Sequence, residues 1–314
     1  NMGVLRSSGA EIAGVGGENP SSAEFVPFVT STGGGAMQIL ASRISDLGFG
    51  YSPKFSGLSV LRNGLMPAAD ASHLRDSRIS GLVSVSVSGV PDFTATGNRF
   101  SGMSGRSVVL AASPRAIVKD NIFHSGIENN AIRVTEGSAG ATVSGNVVLG
   151  GRRSGIVVEK SSHRSEVTGN IVWKRDGGGL KIDHTDCGRI AGNLLIDNRQ
   201  KGIEVRSGFG TKVVGNRVIA NESAGIWVSA QDIAAVTFLD GNVMAANGTG
   251  LSSATPGQVY LSGNDFSHQF PRFLHGDMAR HNRWIASDLK GAKPVLISSN
   301  QGGPAGRPYS RCGQ

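Results

Sequence analysis

Between about residues 131 and 230 the chain sets acids, bases and the histidine His184 in rows at near-constant intervals. Arg133, Val157, Lys181, Glu204 and Trp227 fall in one row of equivalent positions. Thr135, Glu159, Asp183, Arg206 and Ser229 fall two residues further on, and Glu136, Lys160, His184 and Ser207 just beyond. His184 is the side chain there that titrates near neutral pH, which makes it the candidate base or acid. Asp183, Lys181 and Arg206 flank it and complete the candidate catalytic set. Arg133, Glu136, Glu159, Lys160, Glu204 and Trp227 are the candidate binding residues. The cations would hold carboxylates, the acids would accept from hydroxyls, and Trp227 would offer a stacking plane for a sugar ring. The same charges have a purely structural alternative, a solvated face in which Lys181 pairs with Glu204 and Asp183 with Arg206 across neighbouring strands.

Such rows exist only if the chain repeats. A small residue or Asp followed by Asn recurs as Gly97-Asn98, Asp120-Asn121, Gly145-Asn146, Gly169-Asn170, Gly192-Asn193, Gly215-Asn216, Gly241-Asn242 and Gly263-Asn264, at intervals of 22 to 26 residues. Apolar residues keep the same step at Val85, Val108, Ile132, Ile156, Leu180, Ile203, Ile226, Leu251 and Leu274. Around them Gly155–Val158, Gly179–Ile182, Gly202–Val205 and Gly225–Val228 all read Gly, apolar, any, apolar. That alternation is a strand with one buried face. A unit of about 24 residues with several short strands and no helical period predicts one coil of a parallel β-helix. The expected fold is all-β, a single-domain right-handed parallel β-helix of ten or eleven coils, with handedness taken from the usual crossover bias. Asn at the fixed turn should tolerate a left-handed backbone and stack amide on amide along the axis. Residues 1–36 are expected to cap the N-terminal end, 37–274 to form the solenoid, and 275–314 to cap the other end or pack along its side.

Composition narrows the function classes. Of 314 residues, 46 are Gly, aromatics are 6% and charged residues 17%, against a coiled coil or a disordered polyampholyte. No apolar run approaches the ~18 residues of a membrane span. The formal charge of +8 favours anionic partners. No Lys/Arg run is interleaved with aromatics, so nucleic acid is not the expected partner. Cys187, mid-chain, and Cys312, in a Pro/Gly-rich tail, do not suggest a structural disulfide framework. His184-x-x-Cys187 offers two metal ligands, below the usual three or four. No cofactor is expected; the one ion considered is calcium, held by Asp183, Asp186 and Glu159. Asn1 before Met2 reads as a cloning junction, and any signal peptide is expected to be already gone or never to have existed.

Several segments resemble, in order, stretches of the periplasmic mannuronan C5-epimerases of alginate biosynthesis. They are Phe28-Val-Thr-Ser-Thr-Gly-Gly, Ser45-Asp-Leu-Gly-Phe-Gly50, Leu74-Arg-Asp-Ser-Arg-Ile79, Thr96-Gly-Asn-Arg-Phe100, Ser154-Gly-Ile-Val-Val-Glu-Lys160 and Asp176-Gly-Gly-Gly-Leu-Lys-Ile182. The resemblance covers about residues 25–265, and most of it is shared β-helix repeat grammar. It implies a right-handed parallel β-helix, a periplasmic or secreted location, an anionic polysaccharide as substrate and other exopolysaccharide-biosynthesis proteins as partners. The implied chemistry is proton abstraction at C5 of a uronate, giving an epimerase or, if the 4-linkage leaves, a lyase. The family's Asp-Pro-His-Asp signature is missing: the corresponding coil reads Val108-Val-Leu-Ala-Ala-Ser113, and the nearest echo is Asp183-His184-Thr185-Asp186, some three coils later. Its absence sets a second expectation beside the first, a non-catalytic polysaccharide-binding or assembly protein on an epimerase-like scaffold.

Overall fold

The computed structural model describes residues 4–14, 26–50, 52–62, 70–124, 126–276 and Cys312. Alternating apolar residues and turn residues at left-handed φ break each coil into three short strands. Each coil contributes one strand to each of three parallel sheets of eleven strands. The first sheet runs from Val4–Ser8 to Gln258–Ser262, the second from Glu11–Ala13 to Asp265–His268, and the third from Val29–Thr32 to Leu274–Gly276. Among the described residues there is no α-helix, only a 3-10 turn at Pro53–Phe55. The architecture is the parallel β-solenoid that the 24-residue period predicts.

Register in the third sheet follows the apolar period residue for residue. Val85, Val108, Ile132, Ile156, Leu180, Ile203, Ile226, Leu251 and Leu274 stand opposite one another in consecutive coils. All but the last are buried; Leu274, on the terminal strand, packs partly buried against the core. A single apolar cluster fills the tube, and Phe100 and Phe123 stack inside it with centroids 4.7 Å apart.

The Gly-Asn steps form a continuous buried ladder. Asn98, Asn121, Asn146, Asn170, Asn193, Asn216, Asn242 and Asn264 are all at most 1% exposed. The side-chain amide of each but the last, Asn264, donates to the next coil's Asn Oδ1 at 2.9 Å, as does its backbone N–H at 2.9–3.0 Å. The same amide also donates to a carbonyl of the preceding coil, as Asn146 does to Val118 at 2.9 Å. One detail of the expectation is corrected. The left-handed residue is not Asn but the one before it, such as Gly97 at φ 69°, Asp120 at φ 54° and Gly145 at φ 63°. That residue turns the chain outward so that Asn can turn in.

A second ladder lies at the next corner and has no Gly-Asn mark. Asn198 donates to Asn221 at 2.8 Å, Asn221 to Asn247 at 2.9 Å and Asn247 to Gln269 at 3.0 Å. Arg175 takes the ladder position one coil earlier; its N–H donates to Asn198 Oδ1 at 3.1 Å. Its guanidinium is wholly buried and donates to three carbonyls, those of Arg153 at 2.7 Å, Asn129 at 2.6 Å and Gly150. Burial pulls the Arg175 pKa down to about 10, so it stays charged at neutral pH.

Two expectations change at the ends of the chain. The described part of residues 1–36 is not simply an irregular cap: Val4–Ser8, Glu11–Ala13 and Val29–Thr32 pair with Ala36–Leu40, Arg43–Ser45 and Gly57–Leu61, adding a first strand to each of the three sheets. The repeat marker was hidden because Ser42 and Ser77 continue the Asn ladder; Ser42 N–H donates to Ser77 Oγ at 3.1 Å and Ser77 N–H to Asn98 Oδ1 at 3.0 Å. The second correction is covalent. Cys187 and Cys312 form a disulfide across 125 residues, with Cα atoms 5.4 Å apart. The tail cap expected over 275–314 lies outside the described residues except for Cys312 and the end of the strand Leu274–Gly276.

Truncating a ladder amide should orphan buried donors and acceptors in two adjacent coils. Asn170→Ala is expected to cost about 2–4 kcal/mol in urea denaturation. A loss no larger than that of the exposed-site variant Glu166→Ala would refute the ladder's role.

Candidate functional site

The third sheet carries the expected outward rows. Arg133, Val157, Lys181, Glu204 and Trp227 are register partners in five consecutive coils. Glu159, Asp183, Arg206 and Ser229 follow two positions later. Glu136, Lys160, His184 and Ser207 all sit in the next turn at φ between 47° and 54°. His184 thus occupies the turn position that Ala112 holds three coils earlier, in the segment where the family signature was sought.

Charge pairing differs from the cross-strand scheme. Lys181 Nζ lies 3.0 Å from Asp183 Oδ2, on its own strand, rather than against Glu204. Residues two apart on a strand share a face, so a long lysine reaches along it. Glu204 instead faces Lys201 at 3.8 Å. Arg133 donates from Nε to Glu159 Oε1 at 2.7 Å and makes a second contact from Nη2 to the same oxygen. Glu136 and Lys160 approach to 3.6 Å, but both are 59% exposed, so that pair adds little. Arg206 is exposed and forms no ion pair among the described residues, although Asp183 is its register partner. The structural alternative of an Asp183–Arg206 pair is therefore not what forms.

Asp183 is the centre of the arrangement. It is only 9% exposed, and its Oδ1 accepts no aligned hydrogen bond. His184 Nδ1 lies 2.8 Å from that oxygen, within ion-pair distance. With Nδ1 turned to the carboxylate, Nε2 is the nitrogen left to meet a ligand. A second histidine attends the same turn: Asp186 N–H donates to His163 Nδ1 at 2.9 Å, which places the His163 proton on Nε2. Asp183, Asp186 and Glu159 do not gather into a cation site, and no group of three metal-ligating side chains occurs among the described residues.

Sequence reasoning missed Lys201. It precedes Gly202 in the turn before its strand, so the strand alternation does not count it. Its ammonium sits 3.6 Å from the centroid of the Trp227 ring. That cation–π contact occupies the ring face there, so Trp227 does not offer that face to a sugar. Burial chiefly lowers the Lys201 pKa, and the positive charges of Lys181 and Arg206 add to the effect, while Glu204 opposes it. The signal was available only as a charge one turn away from the row.

The lowered Lys201 pKa has a stability consequence. Its charged form is disfavoured in the folded chain, so the penalty is present below its folded pKa and vanishes above its ordinary 10.5. The stability of the parent relative to Lys201→Met should therefore rise between the lowered folded value and pH 10.5. Urea midpoints of both proteins across that window test this; a difference that is flat or falls would contradict the burial of Lys201.

Known proteins place this scaffold. The profile described as the right handed beta helix region matches residues 81–238. A mannuronan C5-epimerase of Pseudomonas putida is 23% identical over 224 residues, 67% of this chain and 42% of that protein, so the chain spans about two-fifths of its length. The crystal structure of the periplasmic alginate epimerase AlgG superposes with a TM-score of 0.59 at 18% identity, over 86% of this chain and 72% of that one. The A-module of the Azotobacter vinelandii mannuronan C-5 epimerase AlgE6 superposes at 0.57 with 12% identity, over 88% and 86%. A bacteriophage CBA120 tailspike protein has the same architecture, at 0.51 and 12% identity over 96% and 59%. At these identities the likeness is one of fold. With half of its length matched by the profile, the chain belongs to the right-handed β-helix family.

Proposed function

We propose that the protein binds an anionic polysaccharide along its third sheet and removes the C5 proton of a uronate unit there. The observation that carries this reading is the pairing of charges. Arg133, Lys181 and Lys201 each have a carboxylate partner, whereas Arg206 has none among the described residues and stands in register with the buried Asp183 and next to His184. A guanidinium is suited to hold a uronate carboxylate and to neutralise it, which is what makes the adjacent C5–H acidic. His184 Nε2 takes the proton, with Asp183 positioning the ring. The electron pair left at C5 spreads into the carboxylate held by Arg206. Return of a proton to the opposite face gives the C5 epimer; expulsion of the 4-linked oxygen gives an unsaturated end.

The named activities of the P. putida and AlgG proteins support the substrate class. A periplasmic or secreted location is supported by the AlgG relative and by the disulfide, which forms in oxidising compartments. No helix among the described residues is long and apolar enough to cross a membrane. A specific observation keeps binding without turnover as the second reading: the coil Val108–Ser113 carries no acid or histidine. Tyr260, a candidate proton donor by type, lies on the first sheet against Phe238, away from the third-sheet face.

Incubation with polymannuronate in deuterated water separates the two. The parent should exchange deuterium into C5 or generate absorbing unsaturated ends. His184→Gln should keep affinity and lose turnover by about 100-fold or more. Arg206→Gln should bind more weakly and with a flatter salt dependence, while melting like the parent. A parent that binds without exchange would assign the face to binding alone.

A further inference from the structure

The second sheet carries a charged strip that the third-sheet reading does not use. Its outward row reads Glu11, Arg43, Arg78, Arg99 and then Ile122 in successive coils. Three arginines therefore stand in register, one strand spacing of roughly 4.8 Å apart. Two positions along, Ser45, Ser80 and Ser101 form a matching row. The three arginines are exposed, and their side chains make no ion pair or hydrogen bond among the described residues. Together with Ser80, Ser101 and His124 they line a cleft of about 570 Å³, bounded by the acids Glu11 and Asp46.

Like charges in register on neighbouring strands repel, so this row costs stability unless something answers it. Some surface arginines elsewhere are paired across coils. Arg115 grips Asp92 with two hydrogen bonds at 2.8 and 2.7 Å, and Arg152 meets Glu128 at 3.1 Å. The second-sheet strip lacks such partners for three coils running. Arginine's planar fork fits a carboxylate through two parallel hydrogen bonds, and the serine row offers hydroxyls to sugar hydroxyls. A ligand answering this pattern is linear, carries a carboxylate on successive units and runs along the solenoid axis. Glu11 repels it at one end of the row, and the uncharged Ile122 gives it nothing at the other.

We infer that the second sheet in the coils of Arg43, Arg78 and Arg99 holds a second stretch of a carboxylate-bearing linear polysaccharide, on a different side of the solenoid from the third-sheet face. It anchors the polymer and takes no part in proton transfer. This rests on the polyuronate substrate class proposed above, but not on the catalytic roles of His184 and Asp183.

The test is binding of polymannuronate by titration calorimetry at several salt concentrations, with a neutral glucan as control. The triple variant Arg43→Gln, Arg78→Gln, Arg99→Gln should weaken binding by roughly tenfold or more and flatten its salt dependence. It should melt at or above the parent temperature, because the repulsion is removed. The single reversal Arg78→Glu, in the middle of the row, should weaken binding as well, which guards against a fold defect in the triple variant. Replacing all three by Lys should restore the salt dependence but not the full affinity. A triple variant that binds like the parent, while Arg206→Gln binds weakly, overturns the second strip and leaves the third-sheet site. Weak binding by the triple variant with normal binding by Arg206→Gln supports the strip and overturns the third-sheet site. A parent that binds no polyuronate overturns both.

Discussion

Everything on the surface of this protein depends on the register between coils. Two inward amide ladders enforce it. Each ladder Asn uses its side chain to satisfy backbone groups of the preceding coil and to donate to the Asn side chain of the next, as Asn146 does, so a coil cannot slip by one residue without stranding buried polar atoms. A one-residue slip would also exchange the inward and outward faces of every strand. Held this way, residues about 24 apart in the chain become neighbours one strand spacing away. A solenoid so built turns a periodic sequence into rows, and rows of charge become possible sites.

The same geometry explains why the charges pair as they do. On the third sheet, a lysine finds an acid along its own strand or from the preceding turn as easily as across coils. Lys181 takes Asp183 and Lys201 takes Glu204, which leaves Arg206 open beside a buried carboxylate. The face is therefore not simply a solvated lattice of opposite charges. The second sheet presents three arginines in a row with only flanking acids, and the contrast between the two faces lies in where the acids fall within the period.

Arg175 and the disulfide show what a solenoid needs beyond its repeat. Where the second amide ladder ends, a buried guanidinium takes over its carbonyl acceptors from several turns at once. Cys187, one turn beyond His184, receives Cys312 from the far end of the chain. The covalent closure thus lands beside the candidate site instead of at the end of the tube. Gly210 gives it room, since a Cβ there would come within 2.4 Å of Cys312 Sγ.

The period by itself determined the parallel solenoid, the inward ladder from Val85 to Leu274, the outward rows on the third sheet and the first Asn ladder. These are legible because each is a one-dimensional repeat of residue type, and stacking converts such a repeat directly into contact. The first coil was not legible, because Ala10 stands at its ladder position, Ser42 and Ser77 replace Asn in the next two coils, and Ser31 stands on the inward side of its third-sheet strand. The choice of ion-pair partners, the seat of Lys201 on Trp227, the burial of Arg175 and the Cys187–Cys312 bond were decided only in three dimensions. Each depends on the reach of a flexible side chain or on where a tail returns, and neither leaves a period in the sequence.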